Sequence, residues 1–123
     1  MTVRVSVVGA SGYAGGELVR LLLRHPQVEL HALAGSSRAG EPLERVFPHL
    51  RHLAPHTLVD ASHRALWEEA DFVFLALPSG AVAELLPRVW PQVQRAGTRV
   101  IDLGGDLRLP GPLYQEWYGR SPI

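Results

Sequence analysis

Val3-Arg4-Val5-Ser6-Val7-Val8-Gly9-Ala10-Ser11-Gly12-Tyr13-Ala14-Gly15-Gly16, at the start of a chain of 123 residues, decides the fold. Val3 to Val8 is β-branched and apolar, so it reads as a strand, and the glycines stop it. Beyond them, Tyr13 to Arg24 carries Leu18, Leu21 and Leu22 at helical spacing, with Glu17, Arg20 and Arg24 on the wet face. A strand, a glycine turn and a helix in that order form the first half of a βαβ unit.

The pattern repeats along the chain. Pro26 closes the first helix, and Val28 to Ala34 alternates well enough for a second strand. Gly35, Gly40, Pro42, Pro48 and Pro55 make residues 35–56 mostly loop, with a short helix expected near Leu43 to Phe47. Thr57 to Val59 suits a short third strand, and Ser62 is the expected N-cap of a helix running to Glu69. Phe72 to Leu77 is an unbroken apolar run, as a central parallel strand buried on both faces requires. Ser79 or Gly80 then opens a helix from Ala81 to about Gln94, which Pro87 and Pro91 should end early or bend. Thr98 to Leu103 is the fifth strand, and the last 20 residues read as irregular with one helical turn around Tyr114 to Tyr118. There is no internal repeat. Such alternation implies an α/β fold: a Rossmann-type, doubly wound parallel sheet with strand order 3-2-1-4-5, in one domain spanning residues 1–123.

Composition narrows the function. With 46% apolar and 20% charged residues the chain can build a core. Twelve Lys and Arg balance twelve Asp and Glu, which speaks against nucleic acid or an anionic membrane as partner. The longest charge-free runs, Val5–Gly16 and Phe72–Ala83, reach 12 residues, short of a membrane span. No targeting segment is visible, so the expected location is the cytoplasm. The chain has no cysteine, which removes thiolate chemistry from it.

The glycines carry the candidate chemistry. Gly9, Gly12 and Gly15 have the spacing G-x-x-G-x-x-G, a variant of the dinucleotide fingerprint. Gly9 permits the tight turn, Gly12 lets a pyrophosphate approach the backbone, and Gly15 lets the helix pack close on the sheet. The helix amino end at Gly12, Tyr13 and Ala14 would face the phosphates, and Ser11 could add a hydroxyl. A plain flexible turn is the competing reading; placement between a strand and an amphipathic helix favours nucleotide binding. After the second strand, Ala34-Gly35-Ser36-Ser37-Arg38-Ala39-Gly40 has no acid to hold a ribose 2′-hydroxyl. Ser36, Ser37 and Arg38 suit a 2′-phosphate instead, so NADP is the expected cofactor, against an ordinary solvated loop. Leu77, Pro78 and Ser79, beyond the fourth strand, would line the path of the reactive ring, although a simple strand-to-helix turn explains them nearly as well. His49, His52 and His56 lie in a Pro-rich loop at spacings without metal specificity, so no metal site is expected. Trp67, Trp90 and Trp117 read as packing residues.

VVGASGYAGGELVRLLLRHP, GSSRAG, FPHLR, DFVFLALPSG, VIDLGGDLRL and YQEWYG, in that order, resemble the N-acetyl-gamma-glutamyl-phosphate reductases, over residues 3–119. The resemblance implies NADPH-dependent reduction of an acyl phosphate to a semialdehyde in arginine biosynthesis, by a homo-oligomer. It implies pyrophosphate contacts for Ser11, Gly12, Tyr13 and Ala14, and 2′-phosphate contacts for Ser37 and Arg38. Gly104-Gly105 stands where the family commonly has Ser-Ala, and Ser79 where a histidine is frequent. The family's nucleophilic cysteine and its histidine base belong to a second, catalytic domain missing here. The chain thus resembles the cofactor-binding part, with no catalytic residue of its own. An aminoadipyl-phosphate reductase of lysine biosynthesis, an aspartate-semialdehyde dehydrogenase relative and a non-enzymatic NADP-binding module are the alternatives.

Overall fold

The computed structural model describes residues 2–10, 13–35, 58–78 and 80–104. Its elements are β1 (Val3–Val8), α1 (Tyr13–Leu23), β2 (Val28–Ala34), β3 (Leu58–Val59), α2 (Arg64–Glu68), β4 (Phe72–Leu75), α3 (Ala81–Ala96) and β5 (Arg99–Asp102). The five strands are all parallel in the order β3-β2-β1-β4-β5, as the alternation in the sequence predicts. The expected helix near Leu43 to Phe47, the turn around Tyr114 to Tyr118, and Thr57 lie outside the described residues.

Helices cover both faces. Val19 of α1 packs on Val7, Ala10, Leu30 and Leu33, while α2 and α3 pack on Val8, Ala32, Ala34, Val73 and Leu75. Trp67 is wholly buried and donates its indole N–H to the Ala61 carbonyl at 2.8 Å, so its packing role holds. Trp90 does not follow suit: it sits on α3 and is 43% exposed. Glu17 and Arg20 pair on the outer face of α1, and Arg24 is exposed nearby.

Between β1 and β2 the register shifts: Val5 pairs with Leu30, but Val7 pairs with Leu33. One residue of β1, Ser6, therefore faces two of β2, His31 and Ala32, which is a β-bulge. The bulge resets the alternation, so Leu30 and Leu33 both reach the core beneath α1.

Several boundaries differ from the sequence reading, those of α1 and α2 by one residue at the carboxyl end. The N-cap of α2 is His63, whose ring accepts the Ala65 N–H at 3.1 Å, rather than Ser62. Ser62 is engaged elsewhere: its hydroxyl and its N–H both donate to Asp60 Oδ1, at 2.6 and 2.9 Å. The helix α3 runs through Pro87 and Pro91 to Ala96. Both prolines are exposed, where water can serve carbonyls deprived of an N–H, while Val82, Leu85, Leu86, Val89 and Val93 are buried. β4 ends at Leu75 because β1 leaves the sheet at Gly9; Ala76 N–H still reaches the Val8 carbonyl at 2.8 Å. β5 begins at Arg99 because Thr98 belongs to the cap of α3, its N–H donating to the Val93 carbonyl.

Candidate nucleotide-binding site

At the carboxyl end of β1 the chain turns at Gly9, with φ at +91°. That conformation is open to glycine and strained for other residues. The Ala34 carbonyl, at the end of β2, accepts both the Gly9 and the Ala10 N–H, at 2.6 and 2.9 Å. An ideal Cβ on Gly9 would stand 2.3 Å from the Ala76 carbonyl oxygen and 3.3 Å from Leu77 Cδ2. One on Gly15 would stand 2.0 Å from the Gly9 carbonyl oxygen. Both glycines are therefore required by backbone contact, as the fingerprint reading has it. They draw the first turn of α1 down onto the ends of β1 and β4.

Every helix has first-turn amides without intrahelical partners, and its amino end is electropositive. Tyr13 and Ala14 stand exposed at that end of α1, the Tyr13 side chain 98% so. An electropositive helix end with free amides is the kind of place where a dinucleotide's pyrophosphate binds. The site lies where β1 and β4 adjoin and the strand order reverses, the place where open α/β sheets bind ligands.

Of the candidates, Gly9, Tyr13, Ala14, Gly15, Leu77 and Pro78 are described and share this rim. Leu77 packs against Gly9, and the Pro78 carbonyl accepts the Ala81 N–H at 3.1 Å. Gly80, not Ser79, is the N-cap of α3, with φ at +91°. Ser11, Gly12, Ser36, Ser37, Arg38 and Ser79 lie outside the described residues, as do His49, His52 and His56. Among the described residues no three His, Asp or Glu side chains converge on a metal position. An open cavity of about 360 Å³, lined by Val3, Asp71, Phe72 and Arg99, lies at the opposite, amino end of the strands, away from the switch point.

One residue escaped the sequence reading. Asp102, the last of β5, accepts the Gly104 N–H on Oδ1 at 2.8 Å, while its Oδ2 is buried without a hydrogen-bond partner. Asp102-Leu103-Gly104 is an Asx-turn signature that the sequence displays.

Comparison with known proteins agrees with this geometry. Residues 4–115 match the family described as "Semialdehyde dehydrogenase, NAD binding domain". A Bacillus cereus (strain AH187) protein called N-acetyl-gamma-glutamyl-phosphate reductase is 40% identical over 119 residues, which is 96% of this chain and 33% of that protein. The chain thus spans about a third of the length of the curated relatives it matches. Among solved structures, aspartate semialdehyde dehydrogenase with NADP from Candida albicans superposes with a TM-score of 0.63 at 25% identity, over 83% of this chain and 29% of that one. A semialdehyde dehydrogenase NAD-binding protein from Cupriavidus necator, in complex with calcium and NAD, gives 0.62 at 24% identity, over 86% and 34%, a likeness of fold. No described helix is long and apolar enough to cross a membrane.

Proposed function

Since the chain belongs to the semialdehyde dehydrogenase family through its NAD-binding domain, we propose that it holds NADP for the reduction of an acyl phosphate. The substrate proposed is N-acetyl-glutamyl 5-phosphate, reduced to the semialdehyde in the cytoplasm. The observation that carries this reading is the glycine turn after β1, packed so closely at Gly9 and Gly15 that the amino end of α1 stands at the switch point. The 40% identity to a relative named as that reductase supports the substrate.

When bound, the cofactor supplies hydride. The residues of this chain bind and orient it. Gly9 and Gly15 hold the first turn of α1 against the rim, so the amides near Gly12, Tyr13 and Ala14 meet the pyrophosphate, assisted by Ser11. Ser36, Ser37 and Arg38 follow β2 and take the 2′-phosphate, guanidinium and phosphate pairing through two hydrogen bonds. Leu77, Pro78 and Ser79 wall the path of the nicotinamide. An acyl-phosphate reduction of this kind passes through a thiolate, and the chain has no cysteine, so the nucleophile comes from residues outside it.

The test is calorimetric titration of the purified chain with NADPH and with NADH, then an assay with the acyl phosphate after adding a separately expressed catalytic part of a relative. Binding of NADPH by the chain, with turnover only in the mixture, is the expected result. Turnover by the chain alone, or no dinucleotide binding, overturns the proposal.

A further inference from the structure

We infer that Asp102 accepts a hydrogen bond from the nicotinamide riboside half of the bound cofactor, an inference that rests on the dinucleotide reading above. A buried carboxyl oxygen without a donor is costly and calls for an explanation. Three buried side-chain oxygens lack a partner among the described residues: Ser6 Oγ, Gln92 Oε1 and Asp102 Oδ2. Ser6 lies in the middle of β1 and Gln92 on α3, both away from the rim. Asp102 alone is at the carboxyl edge of the sheet, paired in register with Leu75. It takes part in none of the ion pairs among the described residues.

Its neighbours fix what could reach it. Leu77 touches Gly9 on one side; on the other, a Cβ on Gly104 would lie 3.8 Å from the Leu77 carbonyl oxygen and 3.3 Å from Asp102 Oδ1. The ends of β1, β4 and β5 thus form one continuous rim. A dinucleotide lies across such a rim with its pyrophosphate at the first helix. Its adenosine half then lies toward β2, and its nicotinamide half toward β4 and β5. That half offers two donors, the ribose hydroxyls and the carboxamide N–H. Asp102 Oδ1 is spent on the Gly104 turn, which holds the carboxyl group in place. Oδ2, buried and without a donor, is the acceptor left over.

Asp102→Asn tests this, because its amide oxygen can keep the Gly104 bond while its NH2 replaces the second acceptor. Binding is read by calorimetry with three probes: NADP+, 2′-phospho-ADP-ribose, which lacks the nicotinamide, and 2′-phospho-ADP, which lacks the whole nicotinamide riboside. The variant should bind NADP+ about tenfold more weakly or worse, as the loss of one charge-assisted bond implies. Its affinity for 2′-phospho-ADP should match the parent's. A matching loss with 2′-phospho-ADP-ribose assigns the donor to a ribose hydroxyl; parental affinity for it assigns the carboxamide. Unchanged NADP+ affinity, or an equal loss for all three probes, overturns the role of Asp102. A parent chain that binds none of them overturns the dinucleotide reading as well. Asp102→Ala, which also breaks the Gly104 bond, should melt below the Asn variant, and circular dichroism of both separates a lost contact from a lost fold.

Discussion

The Gly9 carbonyl oxygen and the α-carbon of Gly15 approach so closely that a Cβ on Gly15 would stand 2.0 Å from that oxygen. The neighbour is backbone, held in turn by the Ala34 carbonyl through the Gly9 and Ala10 amides, so it cannot swing aside. Gly15→Ala must push α1 off the rim. Overpacking of this kind costs about 3 kcal/mol, and a melting temperature ~10 °C below the parent's is expected for a chain of this size. A variant melting with the parent would show that α1 has room to shift.

Thr98 ties the second layer together. Its hydroxyl, in a residue only 8% exposed, donates to the Trp67 carbonyl at 2.5 Å, with the Ala70 carbonyl at 3.3 Å. Thr98→Val keeps the shape and leaves buried carbonyls without that donor, at a cost of about 1–3 kcal/mol. Urea denaturation reads this as an earlier midpoint with unchanged slope; an unmoved midpoint counts against it.

Asp60 carries an acid-sensitive contribution. The Ser62 hydroxyl, and after it the Ser62 N–H, donate to its carboxyl and hold it below the usual carboxylate range. A group whose folded pKa is depressed stabilises the fold above its unfolded pKa, and that share fades as pH falls through the folded pKa. Ser62→Ala removes the larger cause, so Asp60 should titrate nearer the usual range in a carboxyl-carbon NMR titration. The same titration curve in parent and variant would refute the assignment.

The proposed cofactor choice hangs on Arg38. A guanidinium pairing with the 2′-phosphate contributes roughly 1.5–3 kcal/mol, so Arg38→Ala should weaken NADPH about ten- to a hundredfold. NADH affinity should hardly change. Equal losses for both cofactors in fluorescence titrations would remove Arg38 from the site.

Strand order and the glycine turn were legible because both rest on local signals. Apolar runs of strand length bounded by glycine and proline can fit few arrangements, right-handed crossovers prune the orders to a handful, and the glycine fingerprint after the first strand favours the Rossmann-type one. What escaped depended on which partner a side chain takes and on what becomes buried, and residue type alone states neither. Ser62 is a good cap by residue type, but Asp60 claims its hydroxyl and His63 takes the role. Pro87 and Pro91 disfavour a helix locally, yet five buried side chains on the opposite face hold α3 together. Asp102 gave a turn signature in the sequence, but the burial of its second oxygen exists only once β5 lies beside β4.

The bulge in β2 works as a spacer. With two residues of β2 set against Ser6, the Ala34 carbonyl comes level with both Gly9 and Ala10. Removing His31 or Ala32 would straighten the strand and draw that carbonyl back by one residue rise, about 3.3 Å, out of reach of both amides. The turn after β1 and the segment following β2 would then stand at a different separation. The dinucleotide proposed above has a fixed length between its phosphates, so, held as proposed, it would have to conform to the gauge that the bulge sets.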